Sequence, residues 1–263
     1  MTLFDLTGKV AVITGATKGI GLGIAKQMAA HGAKLVISAR EAALCESVAA
    51  ELNDTYGGGK VIAKGQACDL MKLEDIARLQ EFSRGAFGGV DIVVANASML
   101  STYHGPSEGI PPELFDTMLS TNVHHNFRLC SGFRGDLAKR GGGAMILIGS
   151  LAGHSASPNL LAYAVSKAGV SHVARCLADE MAADNIRVNC VAPGLIRSFS
   201  SQRLMENEKA LARVSAGIPL KRPGEAEEVA GAVIFLASAA GAYVTGETIL
   251  VDGGRANLSP PQV

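Results

Sequence analysis

A chain of 263 residues with 24 basic and 24 acidic side chains carries no net charge, and 48% of its residues are hydrophobic. That balance excludes a disordered chain and, with no global field to attract phosphate backbones or anionic lipid, speaks against nucleic-acid or membrane-surface partners. Five cysteines without a C-x-x-C pair read as reduced, mostly buried thiols of a cytoplasmic protein and not as a disulfide framework.

Short apolar runs alternate with longer helical stretches. The runs fall at 9–14 (KVAVIT), 34–39 (KLVISA), 60–63 (KVIA), 90–95 (VDIVVA), 144–149 (AMILIG), 186–192 (IRVNCVA) and 248–252 (TILVD). Helices are expected near 19–31, 41–55, 72–84, 112–131, 158–183 and 225–238. Strands apolar at every position imply a sheet covered on both faces. The alternation predicts an α/β fold, a single-domain Rossmann-type doubly wound parallel sheet of about seven strands with helices on both faces. Residues 1–263 are read as one dinucleotide-binding and catalytic domain with a variable substrate loop at about 195–215. The N-terminus meets Asp5 before any basic residue and lacks a signal-peptide layout. Val229 to Gly246 is uncharged, but its glycines and turn-like end favour a buried helix followed by a loop over a membrane span. The glycosylation patterns at Asn53, Asn96 and Asn257 are read as chance, and NLSPPQV at 257–263 as a surface tail.

Ligands bind such sheets at the carboxyl ends of the strands, so chemistry is sought after each strand. After the first comes Thr14-Gly15-Ala16-Thr17-Lys18-Gly19-Ile20-Gly21. Its glycines permit a tight turn and a close approach of backbone N–H groups to a pyrophosphate. Gly15, Thr17, Lys18, Gly19, Ile20 and Gly21 are the candidate contacts, although packing alone also explains a glycine turn. The second strand ends Ser38-Ala39-Arg40, without the acidic residue that grips the ribose hydroxyls of NAD. Arg40 and Lys18 can clamp a 2′-phosphate instead. NADP(H) is therefore preferred, with NAD(H) left open.

Ser150 follows the fifth strand, with Tyr163 and Lys167 at 13 and 17 positions beyond it. Tyr and Lys at i and i+4 share one helix face. A phenol titrates near 10, and a unit charge about 4 Å away is worth up to roughly 4 kcal/mol at an effective dielectric near 20. An ammonium and an oxidised nicotinamide would thus bring Tyr163 into working range, while the Ser150 hydroxyl holds the reacting oxygen.

With these residues in place, the chain resembles the classical short-chain dehydrogenase/reductases from about residue 5 to 255. The matching motifs are TGATKGIG at 14–21, Asp69 after the third strand, ANAS at 95–98, Asn122, Ser150, YAVSK at 163–167, NCVAPG at 189–194 and VTGETILVDGG at 244–254. The resemblance implies that Asn122, Ser150, Tyr163 and Lys167 form the catalytic tetrad. Tyr163 would exchange a proton with the carbonyl or alcohol oxygen, which Ser150 orients. Lys167 would lower the tyrosine pKa and bond the nicotinamide ribose, and Asn122 would hold a water linking Lys167 to solvent. Asp69 and Leu70 would border the adenine, Asn96 and Ala97 the ribose region, and Pro193, Gly194, Ile196 and Ser198 the nicotinamide amide. The family's usual N-N-A-G is here Ala95-Asn96-Ala97-Ser98. The alanine alters packing, while the serine adds a side chain beside the cofactor or pocket. The Tyr163–Lys167 spacing of four argues against the divergent enoyl-reductase branch.

His124 with His125, and His172 with Cys176, lack the three or four convergent ligands a metal needs. His104 and His154 are read as solvated loop residues at the pocket edge with a substrate contact as the alternative, and Arg197 as a surface arginine with an anionic substrate as its alternative. Met99, Leu151, Leu195, Phe199, Leu204 and Met205 suggest a largely apolar pocket. The leading expectation is an NADP(H)-dependent carbonyl reductase, or alcohol dehydrogenase in reverse. A 3-oxoacyl-[acyl-carrier-protein] reductase and a non-catalytic nucleotide-sensing protein on the same fold are the alternatives. The resemblance also implies a homotetramer, or homodimer, built on the helices near 112–131 and 158–183.

Overall fold

The first apolar run forms β1 (Val10–Thr14), buried at all five positions. Ala11 and Ile13 enter one core and Val12 the other, which is why the strand is apolar throughout. The structure, a computed structural model, describes residues 2–256, so Asn257 and the tail at 257–263 lie outside the described residues. The remaining strands are β2 (Lys34–Ala39), β3 (Ala63–Ala67), β4 (Ile92–Ala95), β5 (Gly143–Ile148), β6 (Ile186–Pro193) and β7 (Thr248–Val251). They form one seven-stranded parallel sheet in the order β3-β2-β1-β4-β5-β6-β7. The order reverses between β1 and β4, where a crevice must open at the carboxyl ends.

The helices are α1 (Gly19–Ala30), α2 (Ala42–Tyr56), α3 (Leu73–Ala86), α4 (Pro112–Leu119), α5 (Asn126–Lys139), α6 (Leu161–Met181), α7 (Gln202–Met205), α8 (Glu208–Ala216) and α9 (Ala226–Ala237). Ile24 of α1, Leu52 of α2 and Val233 of α9 fill the core on one face of the sheet. Leu79 of α3, Phe133 of α5 and Ala174 of α6 fill the other. The uncharged stretch from Val229 is the buried helix α9 followed by a short turn at Ala239–Gly241. Among the described residues no helix is long and apolar enough to cross a membrane. All five cysteines are free, with only Cys176 exposed.

Three boundaries differ from the sequence expectation. The third strand begins at Ala63, not at residue 60, because the Asn53 side chain occupies the chain before it. Asn53 Oδ1 accepts from the Ile62 and Ala63 N–H groups at 2.8 Å, and Nδ2 donates to the Ala63 carbonyl at 3.0 Å. The stretch 112–131 is not one α-helix, since Ser120–His125 forms a π-helical turn between α4 and α5. Asn126 Nδ2 stabilises that turn by donating to the carbonyls of Asn122 at 3.0 Å and Thr121 at 3.4 Å. Within the stretch expected as a variable loop, α7 and α8 are helical.

Candidate active site

The turn after β1 is shaped by positive φ at Gly15 (63°) and Gly19 (55°), values that side chains rarely tolerate. A Cβ on Gly21 would collide with the Gly15 carbonyl, and one on Gly15 would lie 2.9 Å from Asn96 Nδ2. Asn96 itself holds the turn: Nδ2 donates to the carbonyls of Thr14 at 2.9 Å and Gly15 at 3.1 Å. Thr14 Oγ1 accepts from the backbone N–H groups of Asn96 and Ala97, both at 3.1 Å. The N-terminus of α1 has no side-chain cap and no acidic residue in its first turn, so its dipole and N–H groups suit an incoming anion. Gly21→Ala is expected to destabilise the fold by about 1–3 kcal/mol through overpacking and to weaken cofactor binding more than tenfold. Thermal unfolding and a binding titration read the two effects separately.

The turn opens into a cleft of about 690 Å³ at the carboxyl ends of the strands. Every candidate cofactor contact lines it: Gly15, Thr17, Lys18, Gly19, Ile20 and Gly21 from the turn, then Arg40, Asp69, Leu70, Asn96, Ala97, Pro193, Gly194, Ile196 and Ser198. Ser150, Tyr163 and Lys167 lie on the same wall system. Among the described residues neither Lys18 nor Arg40 forms an ion pair. The glycine cradle, the uncapped helix and these two cations fit the phosphates of a dinucleotide.

Ser150 caps a short turn, its Oγ accepting from the Ala152 N–H at 3.2 Å, and faces Tyr163. Burial pushes the Tyr163 phenol above its ordinary value, with the Ser150 hydroxyl pulling the other way. Lys167 is buried and its Nζ donates to the Ile148 carbonyl at 2.9 Å, 5.8 Å from the Tyr163 ring centroid. Burial lowers Lys167 to about 8, opposed by the Cys190 thiol. The site therefore holds a protonated phenol beside a lysine brought below its ordinary range to about 8.

Asn122 is fully buried behind the cleft wall instead of on it. Its Oδ1 accepts from the Met99 N–H at 2.7 Å, and Nδ2 donates to the Met99 carbonyl and to Ser166 Oγ, both at 3.0 Å. Ser166 Oγ in turn donates to the Tyr163 carbonyl at 2.8 Å. The side chain thus ties the segment after β4 to the helix carrying Tyr163, while the main-chain carbonyl of Asn122 accepts from Asn126 Nδ2 at 3.0 Å. Ser166, contained in YAVSK but given no role there, and Asn126 are positioning residues that the structure adds. Ser166 was signalled by a polar residue on the buried face of α6, whereas Asn126 had no local signal.

A family model described as Enoyl-(Acyl carrier protein) reductase matches residues 15–256. A Bos taurus protein named Dehydrogenase/reductase SDR family member 4 is 39% identical over 249 residues, covering 95% of this chain and 88% of that protein. The chain belongs to the short-chain dehydrogenase/reductase family. It is an oxidoreductase of that family, whose members bind a nicotinamide cofactor. Among solved structures, a short-chain type dehydrogenase/reductase from Mycobacterium marinum superposes with a TM-score of 0.88 at 35% identity, covering 97% of this chain and 98% of that one. The Pseudomonas aeruginosa RhlG/NADP active-site complex gives a TM-score of 0.90 at 32% identity, covering 97% and 99%.

Within this short-chain dehydrogenase/reductase the two departures from N-N-A-G have distinct surroundings. Ala95 is buried in β4, whereas Ser98 is exposed and lines the cleft. Met99, Leu195 and Phe199 also line it, but Leu151, Leu204 and Met205 do not. His104 and His154 are exposed and outside the cleft lining. Arg197 pairs with Glu225 at 3.1 Å, directing its charge to the surface. His125 is buried with Nδ1 unpartnered, and burial lowers its pKa. Among the described residues no group of three potential ligands could hold a metal.

Proposed function

We propose that this protein is an NADP(H)-dependent carbonyl reductase, equivalently an alcohol dehydrogenase in reverse, acting on neutral, mainly apolar ketones or secondary alcohols. The observation that carries the reading is one cleft with Ser150, Tyr163 and Lys167 in it and two unpaired cations, Lys18 and Arg40, beside the glycine turn. The cations lining the cleft are Lys18, Arg40 and Lys167. With Arg197 held by Glu225, the substrate end, walled by Met99, Leu100 and Leu195, offers no charge to an anionic substrate.

The bound nicotinamide supplies or accepts the hydride. Ser150 Oγ donates to the substrate oxygen and fixes its position, where its hydrogen bond strengthens as negative charge develops. The Tyr163 hydroxyl donates its proton to that oxygen in reduction and removes it in oxidation. The Lys167 ammonium stabilises the phenolate left behind, and Asn122, whose main-chain carbonyl also accepts from Asn126 Nδ2, holds the water through which the proton is replaced. A purely nucleotide-sensing protein requires none of these groups. The spacing of Tyr163 and Lys167 favours a carbonyl over an enoyl substrate.

A panel of simple ketones, keto esters, a 3-oxoacyl thioester and an enoyl thioester, assayed by NADPH oxidation, tests this reading. Turnover is expected on apolar ketones. Turnover confined to acyl thioesters would overturn the substrate assignment, and none on any carbonyl would overturn the activity. The pH profile is a second expectation. Reduction uses protonated Tyr163 and charged Lys167, and Lys167 loses its proton as pH rises through about 8. At saturating NADPH, kcat/KM for reduction should be level below about pH 7 and fall above the lysine value. A profile rising through that region would contradict the assigned proton donor. We further read the protein as a cytoplasmic homotetramer, or homodimer, supported by free cysteines and by Leu161 and Val165 exposed on α6.

A further inference from the structure

Lys18 and Phe199 meet across the cofactor end of the cleft. The Lys18 ammonium lies 3.9 Å from the centroid of the Phe199 ring, well within the distance at which an aromatic face attracts a cation. Phe199 is 64% exposed and lines the cleft, so burial in an apolar core does not account for its position. Its backbone is anchored on both sides. The Ser198 N–H donates to Ser201 Oγ at 3.1 Å, and Ser201 Oγ donates to the Ile196 carbonyl at 2.6 Å. Opposite it, Gly19 brings the turn so near that a Cβ there would lie 3.4 Å from the Ser198 Cβ.

We propose that Phe199 is a specificity-determining residue for the cofactor, holding the Lys18 ammonium in place for the 2′-phosphate. The proposal rests on the NADP(H) reading above. A lysine side chain at an exposed site loses considerable rotamer freedom when it binds a ligand. A ring face that restrains it beforehand reduces that loss, and because the attraction acts through the ring quadrupole, the three N–H donors stay free for phosphate oxygens. Phe199 begins the substrate-side segment, so the same contact links the loop over the substrate pocket to the group that senses the extra phosphate.

Isothermal titration of the ligand-free protein with adenosine 2′,5′-bisphosphate and with 5′-AMP tests the proposal without turnover. Phe199→Leu keeps bulk but removes the ring face. It is expected to weaken the bisphosphate about two- to fivefold, the worth of an exposed cation–π contact, and to leave 5′-AMP unchanged. Phe199→Tyr should retain wild-type affinity for both. In a Lys18→Ala background, Phe199→Leu should add nothing, because the two side chains act as one unit. Equal weakening of both ligands by Phe199→Leu would show a merely structural loop role and overturn the proposal. Unchanged or tighter bisphosphate binding would overturn it too, the latter by showing that the ring competes with phosphate for Lys18. If Lys18→Ala leaves bisphosphate affinity unchanged, the NADP(H) reading fails and this proposal falls with it. If Lys18→Ala weakens binding while Phe199→Leu does not, the cofactor reading stands and only the role of Phe199 falls.

Discussion

Tyr163→Phe is expected to lower kcat for ketone reduction by about 10²–10⁴-fold, the contribution of a positioned general acid. The substitution removes one oxygen from a side chain whose ring and helix position remain. The thermal midpoint should therefore shift little, and the cofactor dissociation constant by at most about tenfold, the worth of one neutral hydrogen bond. Ser150 does not provide a substitute proton donor. Its hydroxyl, with Oγ accepting from Ala152 N–H, still donates a hydrogen bond to the substrate oxygen, but an aliphatic alcohol is a far weaker acid than a phenol and does not give up its proton. Ser150→Ala should cost less than loss of Tyr163, because it removes orientation and a hydrogen bond but not the acid. Undiminished turnover in Tyr163→Phe, measured with bound cofactor verified by titration, would refute the mechanism.

The parts of this site that were legible in the sequence are those set by local periodicity. Tyr163 and Lys167 at i and i+4 must share a face of α6, and a strand such as β1 with no polar position must be covered twice. What escaped depends on contacts between distant residues. The side chain of Asn122 is engaged by Met99, 23 positions earlier, and nothing nearby in sequence announces that partner. The π-helical turn at Ser120–His125 exists because the Asn126 amide meets carbonyls that an unbroken α-helix would use internally. Similarly, β3 is an edge strand paired only with β2. Its AKGQA sequence lacks the apolar continuity of the central strands, so the apolar run just before it misled. Helix α8, by contrast, carries its own local signals. Asn207 caps α8 through Oδ1, which accepts from the Ala210 N–H at 3.0 Å, with Glu208 in the first turn and Arg213 in the last. Those are ordinary helix signals within the substrate-side stretch.

Removing both Lys18 and Arg40 is expected to reverse the cofactor preference. The charged residues lining the adenosine end of the cleft are Lys18, Arg40, Glu41 and Asp69, so the wild-type site is formally balanced, with its positive half unpaired. A 2′-phosphate meeting one free cation gains charge-assisted hydrogen bonds, each worth about 1.5–3 kcal/mol, or roughly ten- to a hundredfold in affinity. The single alanine variants should each lose about that much in kcat/KM with NADPH while NADH stays within about threefold. In the double variant two carboxylates remain without a cation, and the phosphate is then repelled as well as unbonded. NADH, whose ribose carries hydroxyls there, meets no such penalty and can donate to Glu41. Loss with NADPH should exceed about a hundredfold and leave NADH the better cofactor. Ionic strength offers an independent check. Raising salt from about 0.05 to 0.5 M shortens the Debye length from over 10 Å to a few ångströms, so the wild-type KM for NADPH should rise more than that for NADH. That difference should vanish in the double variant, since the charges producing it are gone. A double variant that still favours NADPH would place the 2′-phosphate elsewhere and remove both basic residues from the selectivity argument.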